Sequence, residues 1–278
     1  MLLITGTDIY PSKEIVEMLE SSSVALVKIG DKNEILGMAS GCLIDFQGSR
    51  ILLTVAHAVN EEPPMRLEIA WDEQEGQTKT CKLDPIIPFE LTLKPELQNL
   101  KMNGLDFAYQ KLSTNQIPLF QKLNPNGNGK ILSSRPRKVY CESAIQSPKV
   151  DTLYGFAGRT QPVREKFPGF TILSSTLRVC YGLTFVGEIY GMHVFQLPSK
   201  SPGHDFFRGC SGAPIVDIEG NVVALVCRGC VEESLIYGFP IERYKVLLEI
   251  EVLGLAEKKD KYAANIATGA WRTLHFVQ

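Results

Sequence analysis

Apolar residues recur along this chain in short bursts rather than in long periodic stretches. Apolar or alternating runs fall at 24–29, 35–44, 51–56, 66–71, 106–112, 137–141, 149–156, 170–177, 193–197, 214–217, 222–228 and 235–239. Gly, Pro, Asn and Asp separate them, as at Asn124-Pro125-Asn126-Gly127-Asn128-Gly129 and Ile218-Glu219-Gly220-Asn221. Many short strands with turn residues between them predict a sandwich or a barrel. Helical signals are confined to the ends. Ser12 to Leu19 follows a Pro-Ser start and carries acidic residues early, as a helix N-terminus prefers. From Ile241 to Leu253, the residues Ile241, Tyr244, Leu247, Leu248 and Val252 recur at helical spacing. Beyond them Glu257-Lys258-Lys259-Asp260-Lys261 marks a polar break. The tail from Tyr262 to Gln278 holds Trp271, Leu274 and Phe276, which are expected to dock on the same chain or to stay disordered. No internal repeat or low-complexity tract interrupts the pattern.

Three segments in this β-rich frame carry chemistry. Gly209-Cys210-Ser211-Gly212-Ala213-Pro214 places a serine between glycines. A serine hydroxyl is a weak nucleophile at its free pKa and needs a positioned base. Acyl transfer also needs N–H groups aimed at the oxygen that becomes negative. A glycine two residues before the serine lets its own N–H and that of Ser211 point the same way. Upstream, the run Leu52-Leu53-Thr54-Val55-Ala56-His57 delivers a histidine at its end, and Gly104-Leu105-Asp106-Phe107-Ala108-Tyr109 brings an acid into another apolar run. Taken singly, each residue has a plain structural explanation: a histidine after a strand, an acid that begins an element, a serine in a turn. Together they stand in the order His, Asp, Ser. Subtilisins run Asp, His, Ser and α/β-hydrolases run Ser, Asp, His. The other three histidines stand in no comparable context.

The chain resembles the chymotrypsin-like serine peptidases on these segments, and more closely the protease domain of the bacterial high-temperature-requirement proteases. Phe207-Arg208-Gly209-Cys210-Ser211-Gly212 is similar to their R-G-N-S-G turn. Ile215-Val216-Asp217-Ile218-Glu219-Gly220-Asn221-Val222-Val223-Ala224 is similar to the strand, turn and strand that follow it. Met38-Ala39-Ser40-Gly41-Cys42-Leu43-Ile44, Asp106-Phe107-Ala108-Tyr109 and Tyr237-Gly238-Phe239-Pro240-Ile241 also match. The resemblance covers about residues 20 to 245. It implies an all-β fold of two six-stranded antiparallel barrels with a C-terminal helix. His57 and Asp106 would lie on the first barrel, Ser211 on the second, and the site in the cleft between them. The implied boundaries are an N-terminal extension with a short helix over 1–23, a first barrel over 24–120, a linker over 121–136, a second barrel and helix over 137–256, and a tail over 257–278. Too few residues follow for a PDZ-like region. His57 is then the base, Asp106 its orienting acid and Ser211 the nucleophile. The amides of Gly209 and Ser211 form the oxyanion hole. No metal or organic cofactor is implied.

Specificity stays open at this point. Asp205 lies at the offset of the acid that selects cationic side chains in trypsin, which points to a basic or polar residue before the cut. It is equally readable as a solvated loop acid. Phe206 and Phe207, filling the pocket, point instead to a small apolar residue. The Cys227-Arg228-Gly229-Cys230 segment lacks a second ligand pair for zinc, so Cys227 and Gly229 are expected to line or leave the specificity pocket as part of the substrate-binding strand. Cys210 stands where pancreatic-type enzymes have an acid that pairs with a freed N-terminus, so that activation step is not expected. Three functions fit the pattern: an active endopeptidase, a latent effector protease that awaits a regulatory protein or ligand, and a pseudo-protease that only binds peptides.

Composition narrows the setting. The 278 residues are 44% hydrophobic and 22% charged, with net charge −2. That balance gives no nucleic-acid or membrane-surface signal, and no run is long enough to span a membrane. Lys130, Arg135, Arg137 and Lys138 form a basic cluster that reads as a solvated linker. The start Met1 to Ile4 lacks the features of a secretory signal. Seven cysteines, an odd number with several in apolar strands, read as reduced thiols and point to a cytoplasmic setting. A protein or peptide is the expected substrate; oligomeric state is not encoded in any pattern seen.

Overall fold

In a computed structural model of the chain, residues 2–4, 11–31, 34–59, 63–83, 86–88, 106–112, 117–124, 130–160, 163–167 and 170–252 are described. The first half contains β1 (Leu2–Ile4), α1 (Lys13–Ser22), β2 (Val24–Ile29), β3 (Ile35–Phe46), β4 (Ser49–Thr54), β5 (Met65–Asp72), β6 (Gln77–Lys82), β7 (Ile87–Pro88), β8 (Ala108–Leu112), β9 (Leu119–Leu123), β10 (Ile131–Pro136) and β11 (Val139–Cys141). Strands β6-β5-β2-β3-β4-β8-β7 form one antiparallel sheet in that order, and β9 with β10 form a separate ribbon. The second half contains β12 (Leu153–Arg159), β13 (Val163–Phe167), β14 (Phe170–Ser174), β15 (Leu177–Ile189), β16 (Met192–Gln196), β17 (Pro214–Asp217), β18 (Val222–Cys230), β19 (Leu235–Pro240) and α2 (Lys245–Val252). Here β15-β12-β17-β18-β19-β16 closes on itself through β15–β16. The result is a six-stranded antiparallel barrel with a C-terminal helix, as the all-β, chymotrypsin-like expectation has it. The first sheet is an open path of strands among the described residues.

Two parallel pairings are added to the antiparallel sheets. Strand β1 joins β15 in parallel, with Leu2 opposite Arg178, and β11 joins β3 in parallel, with Val139 opposite Leu43. Hairpins force antiparallel pairing because their turns are short, whereas parallel pairs need long connections. These pairs are separated by much of the chain, so that constraint does not apply.

The run at 170–177 holds β14 and only the first residue of β15, which continues to Ile189, between that run and the one at 193–197. The β15 ladder slips at Gly182 (φ +87°), between the Tyr154 and Gly155 pairings of β12, and again at Val186, just before Gly187 (φ +143°), in its pairing with β16. Glycine at a bulge re-aims a strand without ending it.

One apolar cluster joins both sheets. It takes Leu19 from α1, Cys42 and Ile44 from β3, Phe107 from just before β8, Leu225 and Phe239 from the barrel, and Leu247 from α2, all buried. Phe107 stacks on Phe239 with ring centroids 5.0 Å apart, and Phe239 on Tyr244 at 4.5 Å. Such ring pairs contribute about 0.5–1.5 kcal/mol beyond their burial. The shared cluster fixes the sheet that carries His57 against the barrel that carries Ser211.

The basic cluster departs from a solvated linker. Lys130 is exposed, but Arg137 is only 4% exposed. Its guanidinium donates to the carbonyl oxygens of Glu20 (3.2 Å) and Ser23, and lies 5.4 Å from the Phe120 ring centre. Arg135 donates to Glu17 Oε2 at 2.9 Å and Lys138 to the Gly220 carbonyl at 2.8 Å. For the two arginines the cause is α1, which Ser12 caps by accepting from the Ile15 amide at 3.4 Å. Its last turn leaves carbonyls without helical partners and a partial negative charge, and cations answer both. Burial lowers the Arg137 pKa to about 10.

Candidate active site

Strand pairing brings His57 and Asp106 together. Thr54 at the end of β4 sits opposite Ala108 at the start of β8. The chain just past β4 and just before β8 therefore share one end of the sheet. His57 occupies a single 3-10 turn there, Ala56–Ala58. The Asp106 carboxylate accepts twice from it: from the His57 amide at Oδ1 (2.8 Å) and from ring Nδ1 at Oδ2 (2.6 Å). The backbone bond locks the carboxylate, and the ring bond orients the imidazole with Nε2 facing Ser211 Oγ at 3.3 Å. Burial by itself raises the Asp106 pKa. The ring of His57, the thiol of Cys227 and the His57 amide outweigh it and hold the group below the usual carboxylate range.

Ser211 sits in a turn between a 3-10 segment, His204–Phe207, and β17. Gly209 has φ +101° and Gly212 φ +87°, conformations that favour glycine. A Cβ on Gly212 would overlap the Ser40 carbonyl oxygen and the Thr54 hydroxyl. Ser40 clasps this turn from β3. Its amide donates to the Ser211 carbonyl at 2.8 Å and its Oγ to the Gly209 carbonyl at 2.9 Å, while Thr54 Oγ1 donates to the Ser40 carbonyl at 2.7 Å. Both side chains are fully buried. Within the turn the amides of Cys210, Gly212 and Ala213 donate to the carbonyls of Phe207, Val226 and Cys210. Those of Gly209 and Ser211 have no acceptor among the described residues. Burial pushes the Cys210 thiol up to about 12, so it is neutral.

A cleft of about 740 Å³ runs past His57, Asp106 and Ser211, and Phe207, Gly209, Cys227 and Gly229 also line it. The side chain of Asp205 lies outside the described residues. Cys227 does more than line a wall: its Sγ donates to Asp106 Oδ2 at 3.0 Å. Burial first, and the hydrogen bond to Asp106 second, raise its pKa. The sequence did not reveal this contact, nor the clasp by Ser40 and Thr54. The one available signal was two polar side chains in otherwise apolar strands. Among the described residues no helix is long and apolar enough to cross a membrane.

No protein-family model and no curated protein sequence matches the chain. Solved structures do. Neuropsin, a serine protease expressed in the limbic system of mouse brain, matches with a TM-score of 0.50 and 14% identity, over 90% of this chain and 100% of that one. A protein designated HBP matches with a TM-score of 0.51 and 13% identity, over 88% and 95%. A serine endoprotease from Yersinia pestis matches at 13% identity over 92% and 68%, with a TM-score of 0.46. At such identities likeness speaks for the fold alone, and that fold is the one of the trypsin-like serine proteases.

Proposed function

We propose that the chain is a serine endopeptidase acting on protein or peptide substrates. The observation that carries this reading is the hydrogen-bonded relay from Asp106 through His57 to Ser211. His57 Nε2 takes the Ser211 proton as Oγ attacks the scissile carbonyl, then delivers it to the leaving amine. Asp106 keeps the proton on Nδ1 and stabilises the imidazolium that forms. The Gly209 and Ser211 amides receive the carbonyl oxygen as it becomes negative. Water then hydrolyses the acyl-enzyme by the same steps in reverse. An extended substrate fits beside β18. That strand pairs with β17 as far as Leu225, and Val226 bonds Gly212 and Ala213 of the serine turn, so the edge from Cys227 onward has no backbone partner on that side among the described residues, and there a peptide adds as a strand. Asp205, Phe207, Cys227 and Gly229 are assigned to substrate contact on the same reading. Because the neutral Cys210 cannot form an ion pair, turnover does not await a new N-terminus.

Labelling with a fluorophosphonate probe tests the assignment. Wild type should label and cleave a peptide library, and Ser211→Ala and His57→Ala should do neither while keeping the wild-type circular dichroism spectrum. Turnover by Ser211→Ala at the wild-type rate refutes it. Labelling that appears only after a partner is added identifies the latent effector protease, and the expected cytoplasmic setting is read from fractionation of cells that express the chain.

A further inference from the structure

The Cys227 thiol against the catalytic acid completes a set of three different metal-ligand types. A ring nitrogen of His57, a carboxylate oxygen of Asp106 and Cys227 Sγ all lie within 4.8 Å of one another. We propose that they form a three-ligand site for a thiophilic divalent cation, with zinc the biological member of that class, and that the bound ion silences the peptidase. The second half rests on the function proposed above; the first does not.

The donors suit the ion. Zinc prefers nitrogen, thiolate sulfur and carboxylate oxygen at about 2.0–2.3 Å in tetrahedral array, often with three protein ligands and one open position. Asp106 Oδ2 already accepts from both other groups, at 2.6 Å from His57 Nδ1 and 3.0 Å from Cys227 Sγ. In each of these contacts a proton sits where a metal bond would form. Tetrahedral ligands stand roughly 3.3–3.7 Å apart at those bond lengths, so these two contacts open by about 0.3–1.1 Å. Room exists for that: the His57 side chain is 50% exposed and that of Asp106 26%. The ion enters from the cleft, and its fourth position faces the cleft water. The second carboxylate oxygen stays pinned by the His57 amide at 2.8 Å, and such outer contacts orient metal ligands.

The proton balance explains the silencing. Cys227 gives up its thiol proton to solvent and binds as thiolate. Asp106 binds as the carboxylate it already is. His57 binds through Nδ1, and its single ring proton moves through solvent to Nε2. The uncharged ring now presents an N–H to Ser211 instead of a lone pair, so it cannot accept the serine proton. One proton leaves per ion bound, and no oxidant or reductant takes part.

The test uses the full chain, reduced and freed of metal by a chelator. Cadmium titration reads the thiolate-to-metal charge-transfer absorbance, independently of turnover. Wild type should show the band saturating near one equivalent. Cys227→Ser should lose it, Cys230→Ser should keep it, and His57→Ala, altered only at a half-exposed ring, should bind about tenfold or more weakly. A band that survives in Cys227→Ser, or an affinity unchanged in His57→Ala, overturns the site. In the second arm zinc should suppress wild-type peptide cleavage and a chelator should restore it. Each variant is compared with its own chelated rate, and Cys227→Ser should resist zinc. Equal zinc sensitivity in Cys227→Ser overturns the silencing. If no form of the chain cleaves or labels, the peptidase reading falls while the cadmium band still decides the site.

Discussion

Replacing Gly212 by alanine perturbs the nucleophile turn with a single methyl group. Two costs follow. The backbone at φ +87° is left-handed, which costs an L-residue about 1–2 kcal/mol. The new Cβ also overlaps the Ser40 carbonyl and the Thr54 hydroxyl, and overpacking of this kind costs about 1–3 kcal/mol. The neighbour that must give way is backbone of β3, itself bonded to the Ser211 carbonyl and, through Ser40 Oγ, to that of Gly209. Relief therefore moves Ser211 and the Gly209 and Ser211 amides proposed to receive the oxyanion. Gly212→Ala should lose about 2–5 kcal/mol in urea unfolding and most of its fluorophosphonate labelling under conditions where it is still folded. Gly48→Ala supplies the reference, because Gly48 has φ +76° and nothing within 4 Å of its Cβ position. That variant pays the backbone cost alone, about 1–2 kcal/mol, and should label normally. If the two variants lose the same stability and label alike, the clasp between β3 and the serine turn is refuted.

Ser40→Ala removes one buried bond to the Gly209 carbonyl and should cost about 1 kcal/mol in urea unfolding while lowering kcat. Asp106→Asn should keep the fold but lower kcat on the order of 10⁴-fold, since the amide favours the wrong histidine tautomer; peptide kinetics measure it. Arg137→Met strands the Glu20 and Ser23 carbonyls at the end of α1 and should cost about 1–3 kcal/mol, read by thermal unfolding. Stability should fall in acid through His193. Burial first, then Arg243, lower its pKa against the opposing pull of Glu188 and Glu242, so the unfolded chain takes the proton before the folded one. Its contribution is full above the ordinary histidine pKa of about 6.5 and is lost as pH falls from there toward the folded value, by up to about 1.4 kcal/mol per pH unit. A Tm series from neutral to mildly acid pH should be flatter in His193→Leu than in wild type. Asp106, with its lowered pKa, acts in the same direction at still lower pH, below the ordinary carboxylate range.

His57, Asp106 and Ser211 stood out in the sequence because each lies in a short stretch whose residue types serve its chemistry locally. The contacts that hold them did not. Ser40 meets Gly209 across 169 positions and Cys227 meets Asp106 across 121, and no local spacing encodes such separations. Strand β15 was hidden because Gly182 and Gly187 look like punctuation until the bulges are seen. Arg137 read as solvated because charge suggests water; the open carbonyls at the end of α1 that bury it are invisible without the fold. Strand alternation and turn residues, by contrast, carried the barrel architecture well, since both are local properties of the chain.

The 154 positions between the imidazole and the hydroxyl also set a clock. A ribosome adds roughly 5–20 residues per second. By the time β8 has emerged, base and acid are both present, yet the serine turn and the β18 carbonyl that anchors Gly212 are still unmade. On the proposed reading, the growing polypeptide passes on the order of ten seconds with a base and no nucleophile. It is therefore harmless to itself and to neighbouring nascent chains. Cutting power arrives only with the serine turn, after the sheet that carries the base and acid has been made.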